Sequence, residues 1–220
     1  MTAYPTDEEA RDLLIRVGRL LYEEGLNTGT DGNFSCRVDG GAHLWTTCSG
    51  SAKGFLTEAD LVKTDLDGRV LEGTAKPSSE LKLHLNVYRC NALAQAAVHA
   101  HTVAATALAS AGVGLTEPLL APVPLQLGRV YVAPYALTGT QAVADSILPY
   151  VKDNNAVLLA NHGALTWGKD LWQAFTRMET LERCAQIYLQ VRALGTPQYL
   201  TPLQEQELHD YGVRLGNFEK

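Results

Sequence analysis

The chain has 220 residues, of which 46% are hydrophobic and 19% charged. That length and balance suit one globular domain spanning residues 1–220 and exclude intrinsic disorder as the main state. Lys and Arg number 18 against 24 Asp and Glu, a formal net charge of −6. This disfavours nucleic acid as a partner but leaves room for a small phosphorylated ligand on a local basic patch.

Residues 1–9 hold no basic segment followed by an apolar one, and Gly, Pro or His interrupts every apolar run well short of a membrane span. A cytoplasmic protein with no membrane association is expected. Cys36, Cys48, Cys90 and Cys184 form no Cys-x-x-Cys pair, so reduced thiols are expected.

Thr6 and Glu9 have the spacing of a capping box, and Ala10, Leu13, Leu14, Val17, Leu20 and Leu21 follow with helical period. Gly25 ends that helix. After a glycine-bearing loop over 27–32, strands are predicted at 34–38 and 43–47, with Asp39-Gly40-Gly41 turning between them. A second loop spans 48–54, and Asp67-Gly68 marks another turn. Ser78 and Ser79 are N-cap residues for a helix over 80–89. A strand at 96–101 and an Ala-rich helix near 103–110 come next. A strand at 130–133, a helix over 139–151, a strand at 156–160 and a long helix over 170–194 complete the series. Thr201-Pro202 opens a last helix. Irregular alternation with many tight turns predicts a three-layer α/β/α domain on a mixed, mainly antiparallel sheet.

Two histidines, His99 and His101, stand two apart where a strand would place them on one face. His162 ends another apolar strand beside Gly163. Three imidazoles with an open fourth position are the donor set of a catalytic zinc site, although a lone His-x-His pair also occurs as a surface or core feature. Glu80 follows Pro77-Ser78-Ser79. It reads either as a plain helix-terminus acid, favoured there by the helix dipole, or as an acid/base and displaceable fourth metal ligand. Gly32-Asn33, Ser49-Gly50 and Ser78-Ser79 are small polar loops of the kind that cradle anions, and of the kind that simply turn the chain. Lys53 and Lys76 are expected to be solvated. His43, His84 and His209 are expected to be structural or exposed.

Taken in order, these segments resemble the class II aldolase/adducin family. Gly29-Thr30-Asp31-Gly32-Asn33-Phe34-Ser35 resembles its first phosphate loop. Ser49-Gly50 with Leu56-Thr57-x-x-Asp60-Leu61-Val62 resembles the second. Lys76-Pro77-Ser78-Ser79-Glu80 resembles the segment that brings the catalytic acid, and His99-Ala100-His101 and Asn161-His162-Gly163 the metal ligands. The likeness runs from about residue 7 to the C-terminus.

The resemblance implies a zinc ion, with manganese or cobalt as alternatives, held by His99, His101, His162 and Glu80. It implies phosphate binding by Gly32, Asn33, Ser49, Gly50, Ser78 and Ser79. It further implies a cyclic homotetramer with sites between subunits. Pro-Ser-Ser-Glu is similar to the aldolase branch, which splits ketose 1-phosphates such as L-fuculose 1-phosphate into dihydroxyacetone phosphate and a short aldehyde. The 4-epimerases of the family usually carry Asp at this place, and its dehydratases usually lack the acid. A non-catalytic adducin-like module is a further alternative, disfavoured by the intact histidine set. The tail Asp210-Tyr211-Gly212-Val213-Arg214 resembles the aldolase C-terminus, which makes Tyr211 a second catalytic candidate beside Glu80, or else an interface or surface aromatic. The family's further tyrosine is absent from 117–128, where Leu120 stands near the expected place.

Overall fold

The computed structural model describes residues 4–219; residues 1–3, part of the segment read above for a leader, and residue 220 lie outside the described residues. The first helix, α1 (Asp7–Glu23), starts at Thr6, whose hydroxyl takes the Glu9 N–H while the Glu9 side chain returns to the Thr6 backbone. Ala10, Leu14, Val17 and Leu21 form its buried stripe, as the 3.6-residue period requires. Next come β1 (Asn33–Val38), β2 (His43–Thr47), β3 (Leu61–Asp65), β4 (Val70–Glu72) and α2 (Leu81–Cys90). They are followed by β5 (Ala96–Ala100), α3 (Val103–Ser110), β6 (Val132–Ala133), α4 (Gln141–Ser146) and α5 (Leu148–Val151). The chain then forms β7 (Ala156–Leu159), β8 (Gly163–Gly168), α6 (Leu171–Leu194) and α7 (Pro202–Arg214).

Among the described residues the strands make one eight-stranded sheet in the order β4-β3-β2-β1-β5-β8-β7-β6. Every neighbouring pair is antiparallel except β6 and β7. Phe34, Val98, Ala164 and Leu158 look toward α1, α3 and α6, whereas Ala97, Leu165, Trp167 and Val157 look toward α2, α4 and α5. The predicted three-layer α/β/α arrangement on a mixed, mainly antiparallel sheet is the one observed. Strand β5 is buried on both faces, which explains its nearly unbroken apolar sequence.

The structure departs from the sequence reading in several elements, among them β3 and β4, where only a turn at Asp67-Gly68 is expected. The helix expected over 139–151 is broken at Ile147, close to Pro149, which has no N–H for a continuous helical ladder. The strand expected at 130–133 pairs with β7 only at Val132 and Ala133. Strand β8 was not foreseen, because glycines at both ends mask a run of strand-forming residues; its pairing with β5 and β7 stabilises it. The four cysteines are free, three of them buried. Among the described residues no helix is long and apolar enough to cross a membrane.

Candidate metal centre

Side chains alternate along a strand. With Phe34 and Val98 in the α1 layer, Asn33, Ser35, Ala97 and His99 fall on the α2 face. His99 is fully buried, and its Nδ1 lies 2.9 Å from the Ala164 carbonyl. Strand β5 ends at Ala100, so His101 lies just beyond it rather than on it. Even so, the His101 and His99 Nε2 atoms are 3.1 Å apart. His162 occupies the tight turn from β7 to β8, after Asn161 in the left-handed region at φ 55°. A Cβ on Gly163 would stand 2.7 Å from the His101 ring and 2.8 Å from the Ala100 carbonyl, so glycine permits this close approach. The three ring centroids lie 4.7–4.9 Å from one another.

Glu80 sits at the N-cap position of α2, where its N–H donates to Ser78 Oγ at 3.3 Å. Its carboxylate spans two of the histidines: Oε2 is 3.3 Å from His99 Nε2 and Oε1 is 3.2 Å from His162 Nε2. Asn33 Nδ2 donates to Oε2 at 3.0 Å. Burial pushes the Glu80 pKa up, but the His99 hydrogen bond, the His99 and His162 charges and the Asn33 hydrogen bond outweigh it and bring it to about 2. Burial, followed by the charge of His99, lowers the His101 pKa and brings that of His162 to about 4. Both imidazoles are therefore neutral near pH 7, the state in which they bind metals.

These donors fit a small divalent ion. With Zn–N bonds of about 2.0–2.1 Å, neighbouring donors in a tetrahedron stand about 3.3 Å apart. The three donor separations above, 3.1, 3.2 and 3.3 Å, match that edge. Among the described residues, His99, His101 and His162 are the group of three His, Cys, Asp or Glu side chains that converges closely enough to hold an ion.

The centre opens on a cleft of about 270 Å³. Gly32, Asn33, Ser49, Gly50, Ser78 and Ser79 all line it, so the structure gathers all three small polar loops beside the histidines. An antiparallel bridge between Cys48 and Pro77 joins two of these loops, with Ser49 N–H donating to the Lys76 carbonyl and Ser78 N–H to that of Thr47.

Lys53 corrects the expectation of a solvated lysine. It is 2% exposed, and its ammonium donates to the Thr30 and Ser51 carbonyls and to Ser51 Oγ. Burial lowers its pKa. Asp31 and Thr138 also line the cleft. Asp31 belongs to the segment 29–35 that resembles the first phosphate loop, where nothing marks it as a site residue, and Thr138 lies in no pattern that sequence reasoning recognises. Tyr211 is half-exposed on α7 with Arg214 over its ring, and it is not among the residues lining its own chain's cleft. Segment 117–128 contains a π-helical turn at Val123–Leu127, and Leu120 packs on the core. His84 is buried, with Nδ1 2.7 Å from Ser35 Oγ.

Comparison with known proteins agrees with this architecture. The model of the class II aldolase and adducin N-terminal domain matches residues 12–189. A 5-deoxy-D-ribulose 1-phosphate aldolase of Bacillus thuringiensis serovar kurstaki is 37% identical, over 91% of this chain and 93% of its own. A 3-oxo-tetronate 4-phosphate decarboxylase of Haemophilus influenzae is 32% identical, over 94% and 99%. Among solved structures, an L-fuculose 1-phosphate aldolase superposes with a TM-score of 0.88 at 32% identity, over 96% of this chain and 98% of its own.

Proposed function

Since the chain belongs to the class II aldolase and adducin family, we propose that it is a divalent-metal-dependent aldolase. Its substrate is a ketose 1-phosphate, reversibly cleaved to dihydroxyacetone phosphate and a short aldehyde. The observation that carries this reading is the Glu80 carboxylate held across His99 and His162 in the lining of a polar cleft of about 270 Å³.

In this reading His99, His101 and His162 hold zinc, or alternatively manganese or cobalt, and Glu80 is a fourth donor that substrate displaces. The bound ion supplies Lewis-acid polarisation of the substrate's keto and adjacent hydroxyl oxygens. Gly32, Asn33, Ser49, Gly50, Ser78 and Ser79 anchor the phosphate and so orient the bond between C3 and C4. During cleavage the C4 hydroxyl loses its proton as the C3–C4 bond breaks. Glu80, ionised at rest, takes up a proton and delivers it to C3, and during condensation it removes that proton as base. Its buried, hydrogen-bonded seat keeps it aimed. Tyr211, which does not line its own chain's cleft, serves the cleft of a neighbouring copy in a homotetramer.

A coupled assay for dihydroxyacetone phosphate tests the proposal on zinc-loaded and chelated protein. The sugars to try are 5-deoxyribulose, fuculose, rhamnulose and ribulose 1-phosphates. Zinc-dependent release is expected, and its absence from every sugar overturns the aldolase. A second reading rests on the decarboxylase relative, aligned over 99% of its length. It predicts carbon dioxide and dihydroxyacetone phosphate from 3-oxo-tetronate 4-phosphate, with no aldehyde.

A further inference from the structure

A histidine that binds metal through Nε2 needs its Nδ1–H held, because that bond fixes both the tautomer and the ring angle. For His99 the Ala164 carbonyl does this at 2.9 Å. His101 is the most exposed of the three ligands, its side chain 26% accessible against 0% for His99 and 9% for His162. Its ring thus has the least packing to hold it. Its Nδ1 faces Asp31 Oδ2 at 3.4 Å.

We propose that Asp31 is the outer carboxylate of the metal centre, a positioning residue that accepts the His101 Nδ1–H and keeps Nε2 turned toward the ion. The inference rests on the three-histidine metal reading above. The loop around Asp31 is clamped on both sides. Asn27 Nδ2 donates to the Asp31 carbonyl at 2.5 Å, and Asp31 N–H donates to Thr28 at 3.1 Å. Lys53 donates through its backbone to Gly29 at 3.1 Å and through its ammonium to Thr30 at 3.2 Å. The buried lysine charge therefore acts as a loop clamp. Gly32, at φ +70°, brings the loop so close to β5 that a Cβ there would lie 2.5 Å from the His99 carbonyl. The loop therefore lies against the strand that carries one ligand, and Asp31 meets the next ligand with its side chain.

The test is zinc affinity, measured by competition with a chromogenic chelator on purified wild type, Asp31→Ala and Asp31→Asn. Asp31→Ala is expected to bind zinc about 10- to 100-fold more weakly, the usual effect of losing an outer partner. Asp31→Asn keeps an acceptor without the charge and falls between. An Asp31→Ala affinity within about twofold of wild type overturns the inference. If that variant does not fold, Asp31→Asn decides: a measurable loss supports the role and none overturns it. Wild type that takes up no zinc removes both this inference and the functional reading. Wild type that binds zinc tightly but cleaves none of the sugars removes the aldolase alone.

Discussion

Asn33 lies directly opposite His99 in the antiparallel β1–β5 pair, and its side chain donates to Glu80 at 3.0 Å. Strand register therefore sets the distance between the carboxylate and the imidazole. A slip of one residue would carry His99 to the other face of the sheet.

Replacing Glu80 with Gln keeps the shape and the Asn33 contact but removes the carboxylate that takes up and releases a proton. Turnover is expected to fall about 10²- to 10⁴-fold, the usual contribution of a positioned acid/base, with an unchanged circular dichroism spectrum. Unaltered release of dihydroxyacetone phosphate would end the proposed role of Glu80.

Gly32 and Gly29 both adopt left-handed backbone, at φ +70° and +53°, but only Gly32 faces a close neighbour. Gly29→Ala should cost about 1–2 kcal/mol, the conformational penalty alone. Gly32→Ala should cost more, because the new Cβ meets the His99 carbonyl. Urea unfolding of the two variants gives the comparison, and equal losses would contradict the steric argument.

The pH dependence of stability should carry a contribution from His84. Burial, then the charge of His99, brings its folded pKa to about 3, against some opposition from Glu80. Unfolded, it titrates near 6.5. Between these values the unfolded chain binds the extra proton, so stability rises with pH across that window. The contribution is complete above about pH 6.5 and is lost as pH falls toward 3. About 2 kcal/mol should disappear between pH 7 and pH 5. His84→Asn can still hydrogen-bond Ser35 but does not titrate. Denaturant midpoints of the metal-free proteins should converge on acidification; parallel curves would remove His84 from the account.

Zinc should stabilise the folded chain, because the three histidines converge only there. At free zinc of about 100 times Kd the gain is about 2.7 kcal/mol. Calorimetry should show a melting temperature that rises with zinc in wild type and not in His162→Ala. A zinc-dependent rise of the same size in the variant would place the ion elsewhere.

Much of this was legible along the chain. The Thr6–Glu9 capping box, the Thr201-Pro202 helix start and the apolar stripe of α1 depend on neighbours a few residues away. Such patterns report local geometry, and they placed most elements correctly. The spacing of His99 and His101, with His162 beside a glycine, marked the donor set in the same way. Strand β8 escaped because its stabilising partners, β5 and β7, are supplied by the sheet. Lys53 and Asp31 escaped because nothing near them in sequence tells a buried clamp or an outer carboxylate from a solvated charge.

By itself, then, the sequence determined the elements, the faces they bury and the residue types available for chemistry, since periodicity and capping act over one or two turns. Only the tertiary structure decided that Glu80 bridges His99 and His162, that Lys53 is buried and that Asp31 meets His101. These outcomes rest on burial and on donor–acceptor distances between residues far apart in the chain, which exist only once the sheet and its two helical layers have assembled.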